Sequence, residues 1–404
     1  MRILMSRPFP LLILSLLCFG SEGAVRVPLA AAEDDPAPLV RLAPLWSRGE
    51  LQHESVALGL FARDGWVYVA GGHDESGRGR ASKVRIEDGT VAWSVKVETY
   101  QPSFPVSNGH VVVFGEFYSG NTVALDDASG APLWKVPTRQ MMSAACFAGD
   151  LVLCGSYHPR FYGLYAIDWR TGEVRWKTPL GEKIRATPAL HGDRVLVGCH
   201  DGSLSAIEVA TGKVAWSLDC GGRIASSLAV VGDFAFLAVD GQRSTDAYDG
   251  TKDRKELVVI ELKEPKVIAR YPTPYSWNPR IVANGDLALF SDTTKVHTFD
   301  VARATHAYQM EPPTGLLPWP LVLGDRLILA MRPLPRDCFA GAGARPPDPV
   351  PLAVYDRKTG ARLSVRPEGG FVATGAACVQ VEDVVVVAGG PTAAYRILPT
   401  ESAK

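Results

Sequence analysis

The sequence has no excess of either charge sign, because 42 lysine and arginine residues are balanced by 43 aspartate and glutamate residues among 404. A general binder of nucleic acid or of anionic membranes carries a basic excess, so we expect neither partner here. The sequence also contains no GxSxG elbow, no HExxH pair and no phosphate-binding glycine loop, and no cysteines are adjacent or spaced as CxxC. These absences exclude common hydrolase, zinc and haem motifs, and we predict no metal site.

Long apolar segments are absent after the first two dozen residues, so the sequence predicts no transmembrane span. At the start of the chain, Arg2 and Arg7 precede a short apolar run, Pro8 to Gly20, which small and polar residues follow. This order is typical of a secretory signal, and we predict a signal peptide over residues 1–24. We therefore expect export to the periplasm or the cell exterior. Cys18 does not lie in a good lipobox, so we expect no lipid anchor.

What the sequence does contain is an internal repeat. A two-residue turn signal precedes a short run of β-forming residues eight times, mostly at steps of about 40 residues. The second turn positions are Gly65, Gly109, Asp150, Asp193, Asp233, Asp286, Asp325 and Asp383. A repeat of this length, with tight turns and short strands, predicts the four-stranded blades of a β-propeller.

A second motif fixes the phase of the repeat. The pattern A-x-[DE]-x-x-[TS]-G-x-x-x-W begins at Ala124, Ala166 and Ala206. Its acidic residue can bond the turn backbone and its glycine suits a positive-φ turn position, so the pattern describes a strand, a tight turn and a second strand. We predict that five tryptophans lie on outer strands and dock between neighbouring blades: Trp46, Trp93, Trp134, Trp176 and Trp216.

The two ends of the sequence complete one blade between them. After the eighth turn, only two strand-like runs follow, Val384 to Ala388 and Ala394 to Leu398. Near the start, Leu42 to Ser47 forms a spare outer strand that no complete blade precedes. We therefore predict an all-β, eight-bladed propeller of four-stranded antiparallel blades, closed by the N-terminal strand.

The tryptophan motif and the blade count resemble the PQQ-like (quinoprotein-type) propeller repeat family, and the resemblance covers nearly all of the chain after the signal peptide. In length and in the lack of appended domains, the sequence is most similar to the outer-membrane assembly propellers, which are non-catalytic scaffolds of the cell envelope. We predict a single propeller domain over residues 38–404, preceded by a flexible segment over residues 25–37.

Three functions are compatible with these residues. The leading hypothesis is an exported, non-enzymatic scaffold without a cofactor, which binds an envelope or extracellular protein or a small anionic ligand. The second is an oxidoreductase of the PQQ-dependent type, with PQQ and calcium at the mouth of the channel. The resemblance implies that such an enzyme has adjacent cysteines, acidic calcium ligands and an aspartate base, and no residues here align with them. The third is a hydrolase or lyase with an unidentified site.

We expect binding on one face of the ring, where the loops between second and third strands lie beside the links from one blade to the next. The longest of these loops are His73 to Ser82, Gly241 to Glu256 and Arg332 to Pro351. Long loops on a rigid scaffold often carry binding sites, although drift of exposed loops explains them equally simply.

The links between blades supply the candidate site residues. Arg139, Arg185 and Arg223 occupy comparable positions in three successive links, which predicts a site for a carboxylate or phosphate held by bidentate hydrogen bonds. Pairing with acids such as Glu182 or Asp219 is the structural alternative. Other links carry aromatic residues that we predict to contact a partner: Tyr100, Trp277, Trp319 and Phe371.

Six cysteines follow the predicted signal peptide, and most lie inside apolar strand patterns. Export permits disulfides, but the strand context favours small buried hydrophobic residues instead. Leu151 to Cys154 is one example of this pattern.

Overall fold

The structure is a computed structural model that describes residues 40–48, 59–71, 79–98, 102–139, 141, 143–224, 228–241, 255–273, 280–284, 287–291, 296–310, 316–331, 352–366, 377–388 and 392–399. These residues form 33 β-strands and no helix, and they belong to one compact unit over residues 36–404. Accordingly, this part of the chain contains no helix that could cross a membrane. The predicted signal peptide and the whole of the predicted flexible segment, residues 25–37, lie outside the described residues.

The strands form eight antiparallel sheets, which confirms the predicted eight-bladed propeller. Blade 1 comprises β2 (Gly59–Arg63), β3 (Trp66–Gly71), β4 (Arg80–Arg85) and β5 (Val91–Lys96). Blade 2 comprises β6 (Val106–Ser107), β7 (Val111–Glu116), β8 (Asn121–Asp126) and β9 (Pro132–Val136). Blade 3 comprises β10 (Cys146–Ala148), β11 (Leu151–Ser156), β12 (Gly163–Asp168) and β13 (Val174–Pro179). Blade 4 comprises β14 (Ala189–His191), β15 (Arg194–Gly198), β16 (Ser203–Glu208) and β17 (Val214–Asp219).

The second half of the chain follows the same order, with a divided first strand in blade 5. That blade comprises β18 (Arg223–Ile224) and β19 (Ala229–Val231), which both pair with β20 (Phe234–Asp240), then β21 (Lys255–Glu261) and β22 (Lys266–Thr273). Blade 6 comprises β23 (Arg280–Asn284), β24 (Leu287–Ser291), β25 (Val296–Asp300) and β26 (Thr305–Met310). Blade 7 comprises β27 (Leu316–Leu323), β28 (Arg326–Met331), β29 (Leu352–Asp356) and β30 (Arg362–Arg366). Blade 8 comprises β31 (Ala377–Val381), β32 (Val384–Ala388), β33 (Thr392–Pro399) and β1 (Val40–Arg48).

Blade 8 closes the ring with strands from both ends of the chain. β1 pairs antiparallel with β33, from Val40 opposite Pro399 to Arg48 opposite Thr392. Ring closure by the N-terminal strand is thus confirmed, and this strand is longer than the predicted Leu42 to Ser47. The pairing covers the edge that β33 would otherwise expose.

Apolar side chains fill the seams between neighbouring blades. In the seam between blades 8 and 1, for example, Val386 packs in the same cluster as Val69 and Val84. Between blades 7 and 8, the side chain of Gln380 accepts a hydrogen bond from Val322 N (2.9 Å) and donates one to Val322 O (2.5 Å). Each blade is therefore a two-sided sheet whose stability depends on both neighbours.

The two ends of the blades form two different faces. On the turn face, the turn between the third and fourth strands bonds the turn between the first and second, as when Val209 N donates to Asp193 O (3.0 Å). On the loop face, the links into blades 4 and 5 bond the end of the second strand of the preceding blade. Ile184 N donates to Ser156 O and Ile224 N to Cys199 O, both at 3.1 Å. The second-to-third strand loops and the links therefore share the loop face, as the sequence predicts.

Candidate functional site

Aromatic side chains on outer strands dock onto the next blade in one repeated arrangement. The indole Nε1 donates a hydrogen bond to a backbone carbonyl at the following blade's third-to-fourth turn, and the ring lies against the glycine of that turn. The bonds join Trp46 to Ile86 (2.7 Å), Trp93 to Asp127 (2.9 Å), Trp134 to Trp169 (2.8 Å) and Trp176 to Val209 (3.0 Å). The glycines are Gly89, Gly130, Gly172 and Gly212, in the same order.

A bulge in the outer pair of strands explains how each aromatic ring is aimed. In every blade the register between the third and fourth strands shifts beside the docking position. Such bulges increase the local twist and redirect a side chain. The alanine that opens the sequence motif lies directly opposite the tryptophan, as in Ala124 opposite Trp134. A small residue at this position leaves room beside the indole.

Two departures from this pattern were not foreseen. Trp216 packs in a cluster that contains Leu262, but the turn beside it, Lys263 to Lys266, contains no glycine. In blade 6, Tyr308 takes the docking position: its ring lies against Gly360, and its hydroxyl donates to Arg357 O. The sequence signal for this dock is the threonine-glycine pair retained at residues 359–360.

Blade 1 replaces the small residue of the motif with a buried lysine. Lys83 Nζ donates to the carboxylate of Asp127 and to its backbone carbonyl (3.0 Å), and the hydroxyls of Tyr68 and Ser107 donate to Oδ1 (2.7 and 2.6 Å). Burial acts to raise the pKa of Asp127, but the bonds from Lys83 and Ser107 outweigh it, so the pKa is lowered. This ion pair joins blades 1 and 2.

On the loop face, an apolar anchor fixes each of three links. Met141, Ile184 and Ile224 are fully buried against glycines of the preceding second strand, which are Gly115, Gly155 and Gly198. A Cβ at Gly198 would lie 2.5 Å from Cγ2 of Ile224, so only glycine leaves room for the anchor. The anchors define which positions in the three links are equivalent.

When the links are aligned on these anchors, the three predicted arginines fall at different link positions. Ile184 and Ile224 are equivalent anchors, yet Arg185 follows its anchor whereas Arg223 precedes its own. The counterpart of Arg223 in the preceding link is therefore Lys183, and the link positions of the arginines are not the same.

Arg223 is held by an acid other than those considered from the sequence. Its Nε lies 3.1 and 3.0 Å from the two carboxylate oxygens of Asp240, and Nη2 also contacts Oδ2. Both side chains are largely buried, with 19% and 10% exposure. The guanidinium thus has a bidentate partner at the end of β20.

Arg185 and Arg223 both lie near a buried histidine, whereas Arg139 lies elsewhere. Burial, and then the charges of Arg223 and Arg185, lower the pKa of His200 to about 4. Arg139 is exposed and has a left-handed backbone (φ 60°), with its N–H donating to Gly120 O at 2.7 Å. Burial raises the pKa of Tyr165, and Arg139 acts against that shift.

An aromatic row crosses blades 2 to 4 on the loop face. It consists of Phe117, Tyr118, Tyr157 and His200. The ring of Phe117 lies 5.1 Å from that of Tyr118 and 6.2 Å from that of Tyr157, which in turn lies 6.0 Å from His200. Lys183 Nζ lies 5.6 Å from the Tyr157 ring, and Tyr118 is 55% exposed. The row therefore presents an exposed aromatic end and a cationic flank.

The row has a sequence signal that was missed. Phe117, Tyr157 and His200 each stand two residues after the anchor glycine of their blade, so they occupy one position of the repeat. Below the row, buried Glu116 accepts hydrogen bonds from Glu98 N (3.0 Å) and Ser119 Oγ (2.7 Å) and pairs with Lys135 at 2.9 Å. This network holds the loop that carries Phe117 and Tyr118.

Several predicted contact residues lie outside the described residues: Tyr100, Trp277 and Phe371. Trp319 lies within the inner strand β27, beside its register shift before Pro320, rather than in a link as predicted. The three long loops lie mostly or, for Arg332 to Pro351, wholly outside the described residues, and the ends of the first two belong to the strands that follow them. β4 begins at Arg80 and β21 at Lys255, so these two loops are shorter than predicted.

The described cysteines do not form the adjacent pair that a PQQ-dependent enzyme of the related type would use. Cys146, Cys154, Cys199 and Cys220 are free thiols. Burial raises the pKa of Cys146 to about 11 and that of Cys154 to about 12, which makes these thiols unreactive. Cys199 and Cys220 pack in clusters on opposite sides of blade 4. These residues do not fit the cofactor.

On the turn face, an open cleft of about 540 Å³ lies between blades 8 and 1. Its lining includes Trp66, four carboxylates and two arginines, and Arg396 Nε lies 3.4 Å from Asp383 Oδ2. The cleft is thus partly neutralised by its own ion pairs. In the described ranges, no group of three or more His, Cys, Asp or Glu side chains is placed to hold a metal ion.

These observations define a β-propeller with PQQ-like repeats whose loop face carries an aromatic row flanked by basic side chains. The sequence matches the family model described as outer membrane protein assembly factor BamB, over residues 43–155 and 119–278. Because the two matches cover more than half of the sequence, the chain belongs to this family. Among curated protein sequences, none matches the chain.

Solved structures share the fold at low sequence identity. BamB from Moraxella catarrhalis is 18% identical, with a TM-score of 0.61 over 88% of this chain and 97% of that one. The computationally designed Ika8 protein is 14% identical, with a TM-score of 0.64 over 88% and 99%. The quinohemoprotein alcohol dehydrogenase ADHIIG from Pseudomonas putida HK5 is 12% identical, with a TM-score of 0.59 over 92% and 78%. At these identities the likeness establishes the fold alone.

Proposed function

We propose that this protein is an exported, non-enzymatic scaffold of the cell envelope that binds a partner protein through its loop face. The aromatic row is the observation that carries this proposal, because it places an exposed tyrosine and a cationic flank on a rigid surface. Membership of the family described as outer membrane protein assembly factor BamB supports an envelope role. The proposed function needs no bound cofactor.

The chemistry of the row suits a protein partner. Aromatic and arginine side chains are enriched at the energetic centres of interfaces, where they bury large areas with little loss of side-chain entropy. Tyr118 is the most exposed of the large apolar side chains in the described residues, at 55%. Phe117 and the Glu116 network hold the loop beneath it, so little ordering would be needed on binding.

The basic flank indicates what the partner presents. Lys183 and Arg185 lie beside the row, and Arg223 is paired with Asp240. Because the three arginines do not occupy equivalent positions around one anion, we propose that an acidic side chain of the partner approaches the positive charge of Lys183 and Arg185. Such complementarity mainly speeds association and selects among partners.

The proposed location follows from the N-terminal segment. Arg2, Arg7 and the apolar run from Pro8 to Gly20 would direct export, and cleavage would release the propeller into the periplasm or outside the cell.

Site-specific photo-crosslinking tests the proposed surface. A photoreactive amino acid replaces Tyr118 in one variant and Leu190, an exposed residue beside the first turn of blade 4 on the turn face, in the other. After expression in the native envelope, we expect a discrete crosslinked partner from position 118 and none from position 190. Equal crosslinking at both positions, or none at position 118, would contradict the proposal.

Substitutions measure the contribution of the row. Tyr118→Ala and Arg185→Ala are each expected to weaken binding of the crosslinked partner by about tenfold or more, as interface hot spots do. Leu190→Ala serves as the matched control and should leave affinity unchanged. Wild-type affinity in both loop-face variants would remove the aromatic row from the interface.

A further inference from the structure

The seam between blades 5 and 6 lacks the aromatic dock found at five other seams. Ala269 occupies the docking position of blade 5, opposite Val259. The turn of blade 6 that would receive it has Ala304, with φ 52°, where the docked turns have glycine. Both partners of the dock have thus been replaced at the same seam.

Three other rings gather at this seam. His297 and His306 have ring centroids 6.1 Å apart, and the ring of Tyr271 lies 6.1 Å from the first and 5.4 Å from the second. Among the described residues, no other two histidine rings lie in contact. The seam between blades 5 and 6 therefore carries two imidazoles beside its apolar cluster.

Strand geometry brings the rings together. His297 lies on β25 and His306 on the paired strand β26, where the register shifts between Thr298 and Phe299. This bulge brings the two imidazoles to the same side of the sheet. Tyr271 belongs to β22 of blade 5, two residues after Ala269, and so reaches the pair from the opposite side of the seam.

We propose that His297 and His306 form a binding site for a divalent transition-metal ion of tetragonal geometry, such as Cu(II), beside Tyr271. A ring nitrogen lies about 1.1 Å from the centre of an imidazole and binds such an ion at about 2.1 Å. Two imidazoles on one ion therefore have centres about 6.4 Å apart when they lie trans, and about 5.2 Å apart at a tetrahedral angle. The observed 6.1 Å lies close to the trans value, which suits the tetragonal geometry of Cu(II). Imidazole nitrogen is a preferred ligand for copper, zinc and nickel.

One histidine is buried and the other is exposed, which suits an ion that enters from solvent. His297 is 6% exposed and fixed within the seam, whereas His306 lies on the exposed outer strand. Water can complete the coordination, and the ring of Tyr271 lies beside the pair. A site with two imidazoles selects ions by nitrogen affinity, so Cu(II) should bind more tightly than Zn(II). An ion held there would brace the seam that lacks a dock.

Copper titration of the tag-free propeller tests the site. We expect one equivalent of Cu(II) to bind, with nitrogen superhyperfine coupling from two imidazoles in the electron paramagnetic resonance spectrum. His306→Gln should weaken binding by about tenfold or more and reduce the coupling to one nitrogen, because it removes a ligand. His110→Gln, which alters an exposed histidine on the turn face, is the control and should bind copper like the wild type.

The His306→Gln variant also distinguishes the loss of a metal ligand from a loss of folded structure. Because His306 is exposed, the His306→Gln variant should have the circular dichroism spectrum and the metal-free unfolding midpoint of the wild type. Copper should raise the unfolding midpoint of the wild type but not that of the variant. Absence of saturable copper binding at millimolar metal would overturn the proposal. Unchanged affinity and coupling in a folded His306→Gln variant would overturn it equally.

Discussion

The indole of Trp134 lies directly on the α-carbon of Gly172 in the next blade. A Cβ at Gly172 would lie 2.8 Å from Cγ of the indole, and Trp134 Nε1 donates to Trp169 O at 2.8 Å. The glycine therefore serves two purposes, since it adopts the left-handed turn conformation (φ 76°) and leaves a flat surface for the ring. The tryptophan and the glycine form one interaction, although they belong to different blades.

Substituting alanine for Gly172 separates these two purposes when it is compared with Gly149→Ala. Gly149 is also left-handed (φ 58°), but no atom lies within 4 Å of an added Cβ. We expect Gly149→Ala to lower the free energy of unfolding by about 1 kcal/mol through backbone strain alone. Gly172→Ala should cost about 1–3 kcal/mol more, because its methyl group displaces the indole. Urea unfolding measures both values, and equal costs would show that the ring does not depend on the glycine.

A missing dock can be rebuilt at the seam of blades 5 and 6. Ala304→Gly should stabilise the protein by about 1 kcal/mol, because alanine there has φ 52°. Ala269→Trp alone should destabilise it by about 1–3 kcal/mol, since the indole meets the Cβ of Ala304. In the double variant we expect a favourable coupling of about 1 kcal/mol or more. A double-mutant cycle from urea unfolding provides the test, and additive effects would contradict it.

The sequence predicts the fold because the docking residues recur at a fixed spacing. The motif that ends at Trp134 and Trp176 sets the phase, and the repeat of Ala43 to Trp46 identifies the strand that closes the ring. Tyr308 is harder to recognise, because its sequence signal, the Thr359-Gly360 pair, lies in the next blade and the tyrosine itself departs from the motif. The local sequence pattern predicts the strands, whereas the replacement of a docking tryptophan by another aromatic residue is recognised from the contact between blades.

The site was less predictable for a related reason. The sequence suggests aligning the links by their arginines. The buried anchors Ile184 and Ile224 show instead that Arg185 and Arg223 differ by two positions in their links. The acid that pairs with Arg223 lies 17 residues away on β20, so sequence proximity does not identify it. The aromatic row does recur at one position of the repeat, two residues after the anchor glycine, but that position is recognised only once the anchors are known.

Arg223 is expected to act in stability rather than in binding. Arg223→Ala would leave Asp240 as an uncompensated buried charge and should lower the free energy of unfolding by about 3–5 kcal/mol. Arg223→Ala combined with Asp240→Asn removes that charge and should recover part of the loss. Urea unfolding of the single and double variants decides the question. If Arg223→Ala were as stable as the wild type, the arginine would be available for a ligand.

His200 should make the propeller less stable in acid. Its pKa of about 4 in the folded state lies below the ordinary value near 6.5, so the unfolded chain binds the proton first as the pH falls. The neutral histidine is favourable to folding above pH 6.5, and we expect up to about 3 kcal/mol to be lost between pH 6.5 and pH 4. His200→Gln should flatten this part of the stability profile, measured by urea unfolding at several pH values.

His110→Gln is the matched control for this profile, because His110 is an exposed histidine on the turn face. Its pH profile should follow that of the wild type. A His200→Gln variant with the wild-type slope between pH 6.5 and pH 4 would show that another group titrates there.

The closing pair of β1 and β33 also has a consequence for chain connectivity. In seven blades a turn joins the third and fourth strands, whereas in blade 8 hydrogen bonding alone joins them. The unit that recurs along the sequence is therefore an outer strand followed by the three inner strands of the next blade. Circular permutation, with β33 linked to β1 and the backbone opened at another outer turn, would preserve every strand pairing, so the position of the break is arbitrary for the architecture.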